Sequence, residues 1–113
     1  HPDVATSYNN IGGAYYDMSK YPEALTEYKK SLDIRLKVYG TEKPHPHVAN
    51  SYNNIGGVYK SMRKYPEALT EYKKALGIYL KVYSAEKPHP SVATSYNNIG
   101  GVYDSMSVHE LSR

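Results

Sequence analysis

The fold is decided by residues 7–32, which read SYNNIGGAYYDMSKYPEALTEYKKSL. Apolar and small side chains recur at steps of three and four from Tyr8 to Tyr15, a spacing that places them on one face of a helix. Pro22 suits the first turn of a second helix, because its φ angle is fixed and it has no N–H to leave unpaired. Helical spacing then continues through Tyr28. The stretch therefore predicts a pair of helices joined by a short turn.

This helix pair is one copy of a 44-residue repeat. Residues 1–44 and 45–88 align without a gap and differ at 11 positions, and a third copy follows from His89 to Met106. Repetition at a fixed period is typical of solenoids, in which each unit buries its apolar surface against its neighbours. We therefore predict two whole units, the opening part of a third, and a divergent tail at 107–113.

Each whole unit is predicted to contain two antiparallel helices, A and B, and the truncated third unit a single helix A. The predicted fold is therefore an all-α solenoid of five helices. The apolar stripe of the first helix A includes Val4, Ile11 and Met18, which we expect to be buried. Gly40 and Pro44 end helix B before the second unit begins. The predicted helices span residues 2–18 and 22–39 in the first unit, 46–62 and 66–83 in the second, and 89–106 in the truncated third.

Composition narrows the class of protein. The chain has 113 residues, 40% of them hydrophobic and 22% charged, with no Cys and a net charge of +3. These values describe a folded domain without disulfides, and the charge is too small to make nucleic acid or a membrane surface the default partner. The sequence opens with His1 rather than Met and shows no signal or membrane-spanning segment, so we expect a piece of a longer, cytoplasmic protein.

The repeated residues resemble the tetratricopeptide repeat, whose large aromatic, Leu-Gly, Tyr, Ala, aromatic and Ala positions correspond to Tyr8, Ile11-Gly12, Tyr15, Ala24, Tyr28 and Ser31. The resemblance covers residues 1–106. The long period and the opening His-Pro-x-Val-Ala-x-Ser-Tyr-Asn-Asn are similar to the repeats of the kinesin light chain type. The resemblance implies a right-handed superhelix with a concave groove lined by the A helices. It also implies a non-enzymatic scaffold that binds a peptide segment of another protein.

The same resemblance places a set of polar residues in that groove, namely Asn9, Asn10, Tyr16, Asn53, Asn54, Lys60, Asn97, Asn98 and Asp104. An amide both donates and accepts hydrogen bonds, which suits it to bind the backbone of a peptide. We therefore predict that Asn10, Asn54 and Asn98 form a ladder that binds ligand, with the variable Tyr16, Lys60 and Asp104 tuning selectivity. The alternative is that the Asn side chains bridge neighbouring helices. Gly13 either admits a ligand backbone or relieves crowding by Tyr.

Catalytic and metal-binding patterns are weak in this sequence. No Ser repeats together with a nearby His and an acidic residue, so we expect no enzyme and no cofactor. His45 and His47 flank a Pro at a helix start, where a polar N-cap is a better interpretation than a metal site. Lys29 and Lys30 follow Glu27 on one helix, a pattern typical of a solvated face and not of a nucleic-acid site.

The third unit has a helix A but no recognisable helix B, because residues 108–111 do not reproduce the Pro-containing start of that helix. The face formed by Tyr96, Ile99 and Tyr103 is therefore expected to lack its partner helix. This predicts a homo-oligomer, formed by end-to-end stacking or by exchange of a helix, as an alternative to the peptide-binding scaffold.

Overall fold

The computed structural model describes residues 2–83 and 89–111, and within them the chain forms five α-helices and no strand. The helices are α1 (Pro2–Asp17), α2 (Tyr21–Tyr39), α3 (Pro46–Ser61), α4 (Tyr65–Val82) and α5 (Pro90–Leu111). Three-residue connections join α1 to α2 and α3 to α4, so each pair is antiparallel. The predicted all-α solenoid with five helices is confirmed, and the bounds of α1 to α4 lie within one residue of those expected.

The turn between helices A and B is a C-terminal cap without glycine. Ser19 and Arg63 adopt left-handed backbone angles, with φ of 60° and 62°. The N–H of Lys20 then donates to the carbonyl of Tyr15 at 2.8 Å, and Lys64 repeats this bond with Tyr59 at 2.9 Å. This 6→1 bond satisfies a helix-terminal carbonyl. The predicted Pro at the start of helix B follows directly in α2 and α4.

Each B helix lies between the A helix of its own unit and that of the next. Ala24 and Tyr28 of α2 form a buried cluster with Ile55 and Val58 of α3, and Tyr15 of α1 packs against it. A second cluster joins α4 to α5 in the same way through its buried members, Ala68, Tyr72 and Val102. Burial is therefore shared between consecutive units, as a solenoid requires.

The apolar stripe of α1 differs from expectation. The predicted buried residues Val4, Ile11 and Met18 are exposed, with Ile11 44% accessible, whereas the equivalent Ile55 is 1% accessible. Ile55 is buried by the preceding helix B, and none of the described helices covers the equivalent face of α1. The stripe is helical in both units, but only a neighbouring unit buries it.

The third unit also differs from expectation. Helix α5 continues five residues past the predicted end at Met106 and includes Leu111 from the divergent tail. The left-handed turn at Arg63 has no counterpart, and Glu110 replaces the Pro at position 66 that begins helix B. Without a Pro to interrupt the hydrogen bonding, the helix extends.

Candidate functional site

The A helices α1 and α3 meet along a polar seam that contains most of the predicted groove residues. Asn54 Nδ2 donates to Asn9 Oδ1 at 2.8 Å across the two units. Asn9 is the first Asn of the pair in unit one, and Asn54 is the second Asn of the pair in unit two. The bond occupies one of the two amide hydrogens of Asn54. Asn10 is exposed, and Asn54 and Asn98 are half-buried. At this seam Asn9 and Asn54 bridge the two helices, as in the bridging alternative, while Asn10 is exposed.

The equivalent seam between α3 and α5 is different. Asn53 Oδ1 corresponds to the acceptor in the first seam, yet it is buried and has no hydrogen-bond partner among the described residues. Tyr79, from α4, donates instead to Asn50 Oδ1 on α3. Burial raises the pKa of Tyr79. Asn97 is exposed. Repetition of the Asn pairs in sequence does not produce a repeated bridge in space.

The variable groove position at Tyr16 and Lys60 also reaches the next helix A. Tyr16 Oη lies 2.7 Å from Ser61 Oγ. Lys60 extends over α5, where its Nζ would lie 3.1 Å from a Cβ built on Gly101. The corresponding Asp104 is exposed. The differences among these three residues thus change the contact between units as well as the groove surface.

Glycine at the Gly12 position is required by packing. A Cβ on Gly12 would lie 2.7 Å from Tyr28 Cδ1, and one on Gly56 would lie 2.8 Å from Tyr72 Cδ1. The next glycine has no such constraint, because a Cβ on Gly13 would approach Tyr28 Oη only to 3.5 Å, an ordinary contact. Crowding by Tyr therefore explains Gly12 and Gly56 and does not explain Gly13.

A buried arginine joins the first two units, and the sequence reasoning missed it. Arg35 Nη1 donates to the carbonyl of His47 at 3.0 Å and to Ser51 Oγ at 2.8 Å. Burial lowers the pKa of this guanidinium. In the second unit Tyr79 occupies the position of Arg35, and the hydroxyl of Ser95 is buried with no hydrogen-bond partner in the part of the chain that the structure describes. The Arg-to-Tyr difference between the repeats was the available signal.

The same substitution at these two serines is therefore expected to have opposite effects. Ser51→Ala should lower the free energy of unfolding by about 1–3 kcal/mol, because Arg35 loses a buried acceptor. Ser95→Ala should raise it by up to about 1 kcal/mol, because a buried hydroxyl without a partner is removed. Both serines are in the first half of an A helix, so helix propensity contributes equally. Urea denaturation of the two variants measures the difference, and effects of the same sign would contradict the assignment.

The histidines at the unit boundaries are N-caps. His45 Nδ1 accepts from the backbone N–H of His47 at 3.1 Å, and His89 Nδ1 accepts from Ser91 at the same distance. Each ring stacks on a Tyr at the end of helix B, with Tyr39 and His45 centroids 3.6 Å apart. Within the described residues no three His, Asp or Glu side chains gather as a metal site would need. The predicted capping role of His45 is confirmed.

This cap makes stability depend on pH. Burial lowers the pKa of His45 below its ordinary 6.5, and His47 and Arg35 act in the same direction. The folded state therefore binds the proton less tightly than the unfolded chain. Stability from the neutral cap should be present above about pH 6.5 and lost, by up to about 1 kcal/mol, as the pH falls through the lower folded pKa. Thermal unfolding of wild type and His45→Asn, which keeps a pH-independent acceptor, tests this; an equal loss in both would contradict it.

Comparison with known proteins places this architecture in a family. The tetratricopeptide repeat family matches at residues 3–81 and again at 47–111. The chain belongs to the tetratricopeptide repeat family. Tetratricopeptide repeats are generally scaffolds for protein–protein interaction. No curated protein sequence matches the chain significantly.

Two solved structures share the tetratricopeptide repeat fold seen here. BtubC (BKLC) from P. vanneervenii superposes with a TM-score of 0.83 at 25% identity, over 92% of this chain and 40% of that one. A putative kinesin light chain of P. anserina with nearly identical TPR-like repeats superposes with a TM-score of 0.77 at 20% identity, over 95% of this chain and 49% of that one. This chain spans less than half the length of either structure. The resemblance to kinesin light chain repeats is confirmed.

The lysines of these tetratricopeptide repeats lie beside acidic and aromatic side chains. Lys30 Nζ lies 3.2 Å from Glu27 Oε1, in the predicted pairing, and 5.4 Å from the centre of the Tyr8 ring. Lys74 repeats both contacts. A lysine held over an aromatic face is stabilised by the ring quadrupole.

Among the helices described, none is long and apolar enough to cross a bilayer.

The predicted self-association residues of the third repeat separate into two groups. Tyr96 and Tyr103 are 56% and 48% accessible. Ile99 is only half-exposed and packs with Val102 against α4, so it lies on the inner side of α5. Gly100, which sequence reasoning did not include, has no atom of the described residues within 4 Å of a Cβ built on it. We define the α5 end face as Tyr96, Gly100 and Tyr103.

Proposed function

We propose that the chain is a non-enzymatic scaffold that binds a peptide segment of another protein along its A helices. One observation carries this proposal: the second Asn of each pair keeps hydrogen-bonding capacity at the surface. Asn10 is exposed, and Asn54 retains one amide hydrogen and its carbonyl oxygen beyond the bond to Asn9. We call Asn10, Asn54 and Asn98 the Asn row.

The Asn row would bind the backbone of the peptide, and the neighbouring side chains would select its sequence. Amides recognise backbone N–H and C=O groups without distinguishing side chains. One position of the repeat varies in charge and size, being Tyr16, Lys60 and Asp104 in the three units. In this proposal these side chains give each unit a different groove surface. Tyr16 contributes mainly through its ring, because its hydroxyl already contacts Ser61.

The test is a selection from a random peptide library, followed by calorimetric titration of a selected peptide. Replacing the Asn row by alanine in one triple variant should weaken binding at least tenfold. The matched control is the double variant Thr26→Ala and Thr70→Ala, which removes two exposed hydroxyls from the B helices. Circular dichroism confirms that each variant is folded. Unchanged affinity of the triple variant would refute the groove proposal.

The alternative function is self-association through the ends of the solenoid. Both terminal A helices present exposed apolar residues, Val4 and Ile11 on α1 and Tyr96 and Tyr103 on α5. Exposed apolar patches of this kind favour contact between molecules. Light scattering across a concentration series tests it, with Tyr96→Ser and Tyr103→Ser reducing the apparent mass. A strict monomer at high concentration would rule it out.

A further inference from the structure

The second glycine of each pair lies on the seam between neighbouring A helices. Gly13 follows Asn9 by four residues and precedes Tyr16 by three, so all three share one face of α1. Asn9 and Tyr16 both contact α3, through Asn54 and Ser61. Gly13 therefore lies between two hydrogen-bonded contacts, and it is partly accessible. We call the second glycines of the three pairs the groove glycines: Gly13, Gly57 and Gly101.

A buried tyrosine places its hydroxyl beside each of the first two groove glycines. Tyr28 is 7% accessible, and its Oη would lie 3.5 Å from a Cβ built on Gly13. Tyr72 is 5% accessible, and its Oη would lie 3.6 Å from a Cβ built on Gly57. Within residues 2–83 and 89–111 neither hydroxyl forms a hydrogen bond. Each seam thus contains a polar atom on a side chain that is more than nine-tenths buried and that has no partner there.

The chemistry of these hydroxyls favours a neutral acceptor. Burial raises the pKa of Tyr28 and of Tyr72, so both keep their protons at neutral pH and can donate. Asp17 raises the pKa of Tyr28 further, because its negative charge is close to that hydroxyl. The same charge would repel an acidic ligand group and would not repel a carbonyl oxygen. A glycine beside the hydroxyl lets the backbone of a ligand approach closely.

The third groove glycine also lies beside a hydrogen-bond donor. Lys60 Nζ would lie 3.1 Å from a Cβ built on Gly101, and an ammonium group donates without accepting. A ligand that runs along the A helices therefore meets one donor in each unit. An extended peptide can supply an acceptor to each, because its carbonyl oxygens form no internal hydrogen bonds, whereas those of a helix are bonded within the helix.

We propose that Gly13 and Gly57 are openings through which an extended peptide places backbone carbonyl oxygens against the hydroxyls of Tyr28 and Tyr72. This inference rests on the proposed groove function and adds the class of ligand, an extended segment instead of a helix. A methyl group at either glycine would stand between the peptide and the hydroxyl. The openings account for glycines that weaken the A helices and that crowding does not require.

The hydroxyls are tested with the peptide selected from the random library, titrated calorimetrically. The double variant Tyr28→Phe and Tyr72→Phe keeps both buried rings and should weaken binding about tenfold, since two hydrogen bonds are lost. The matched control is Tyr8→Phe with Tyr52→Phe, which removes the hydroxyls of two half-buried tyrosines from α1 and α3. The control should change the affinity less than twofold.

The openings are tested by Gly13→Ala with Gly57→Ala. This double variant should weaken binding at least tenfold and also raise the midpoint of thermal unfolding, because alanine favours helix. Gly77→Ala, on α4, should raise the midpoint and leave the affinity within twofold of wild type. A loss of affinity together with a gain of stability identifies a blocked opening, because a folding defect would lower both.

A thioamide scan of the peptide locates the acceptor, because sulfur accepts hydrogen bonds more weakly than oxygen. One position should weaken binding to the wild type and not to Tyr28→Phe. Binding that needs the Asn row and is unchanged in the Phe and Ala double variants would overturn the openings and leave the groove function standing. A library that yields no peptide, or a peptide that needs neither set, would overturn both. A peptide that becomes helical when bound, by circular dichroism, would overturn the openings.

Discussion

Replacing Tyr72 by alanine is expected to lower the free energy of unfolding by about 3–5 kcal/mol, as for other buried aromatic side chains. Tyr72 is 5% accessible and packs with Ala68 and Val102 at the joint between the second and third units. Burial raises the pKa of its hydroxyl, consistent with a water-poor site. The loss is large because the Tyr72 ring packs against α3, the A helix of its own unit, and also against α5, the A helix of the next unit.

The glycine beneath this ring provides a sharper test than the ring alone. Gly56→Ala should be destabilising, because overpacking costs about 1–3 kcal/mol and better helix propensity returns about 1 kcal/mol. In the Tyr72→Ala background the clash is absent, so the same substitution should become stabilising by up to about 1 kcal/mol. Gly57→Ala should be stabilising in both backgrounds, since its Cβ would lie 3.6 Å from Tyr72 Oη.

Urea denaturation of the wild type, the single variants and the double variants forms a double-mutant cycle for this contact. Trimethylamine N-oxide can be added to all samples if Tyr72→Ala is too unstable alone. Gly77→Ala serves as a control for helix propensity, because a Cβ there has no atom within 4 Å in residues 2–83 and 89–111. If Gly56→Ala stabilises the wild-type chain as much as Gly77→Ala does, the close contact is refuted.

Replacing Arg35 by alanine is expected to lower the free energy of unfolding by about 3 kcal/mol. Its guanidinium donates to the His47 carbonyl and to Ser51 Oγ, and the side chain is 7% accessible. Removing it leaves a buried hydroxyl and a carbonyl without their donor, at the joint between α2 and α3. Arg35→Lys should recover only part of the loss, because Nη1 donates to both acceptors and the shorter lysine side chain does not extend its nitrogen as far.

The matched control for Arg35→Ala is Lys37→Ala, which removes an exposed cation from the same helix and should change stability by less than about 0.5 kcal/mol. Hydrogen exchange adds the location of the effect. Faster exchange is expected at the start of α3 in Arg35→Ala, and not at the start of α5, where Tyr79 replaces the arginine. A uniform increase along the chain would show that Arg35 does not act at this joint.

Much of the fold could be predicted because it depends on the spacing of residues that are close together in the sequence. Helical periodicity, Pro22 and Pro66, and the N-cap position of His45 are properties of a few consecutive residues, and these predictions agree with the structure. The connection after α1 was less accessible to such reasoning, because Ser19 adopts a left-handed conformation that glycine usually signals. The end of α5 was not predicted, because it depends on the absence of the Pro-containing start of helix B. Helical periodicity does not reveal where a helix ends when that start is absent.

The candidate site was only partly predictable, since its members act across units. Asn9 and Asn53 are equivalent in sequence, yet Asn9 accepts from Asn54, while Asn53 Oδ1 is buried and accepts no hydrogen bond from any residue that the structure describes. The difference coincides with the change from Arg35 to Tyr79, which lies 26 residues after Asn53. Tyr79 contacts α3, the A helix of its own unit, whereas Arg35 contacts the A helix of the following unit. An alignment of repeats shows which residues change and not which side chains they contact.

The sequence by itself determined the period, the helices and the membership of a repeat family, because each follows from spacing within one unit. Only the tertiary structure decided which equivalent residues are buried, bonded or exposed. Ile11 and Ile55 differ because one has a preceding helix, and Gly56 and Gly100 differ because one has a following helix. In a solenoid a residue's environment is made by the neighbouring units, so identical sequences at the middle and the ends of the chain acquire different chemistry.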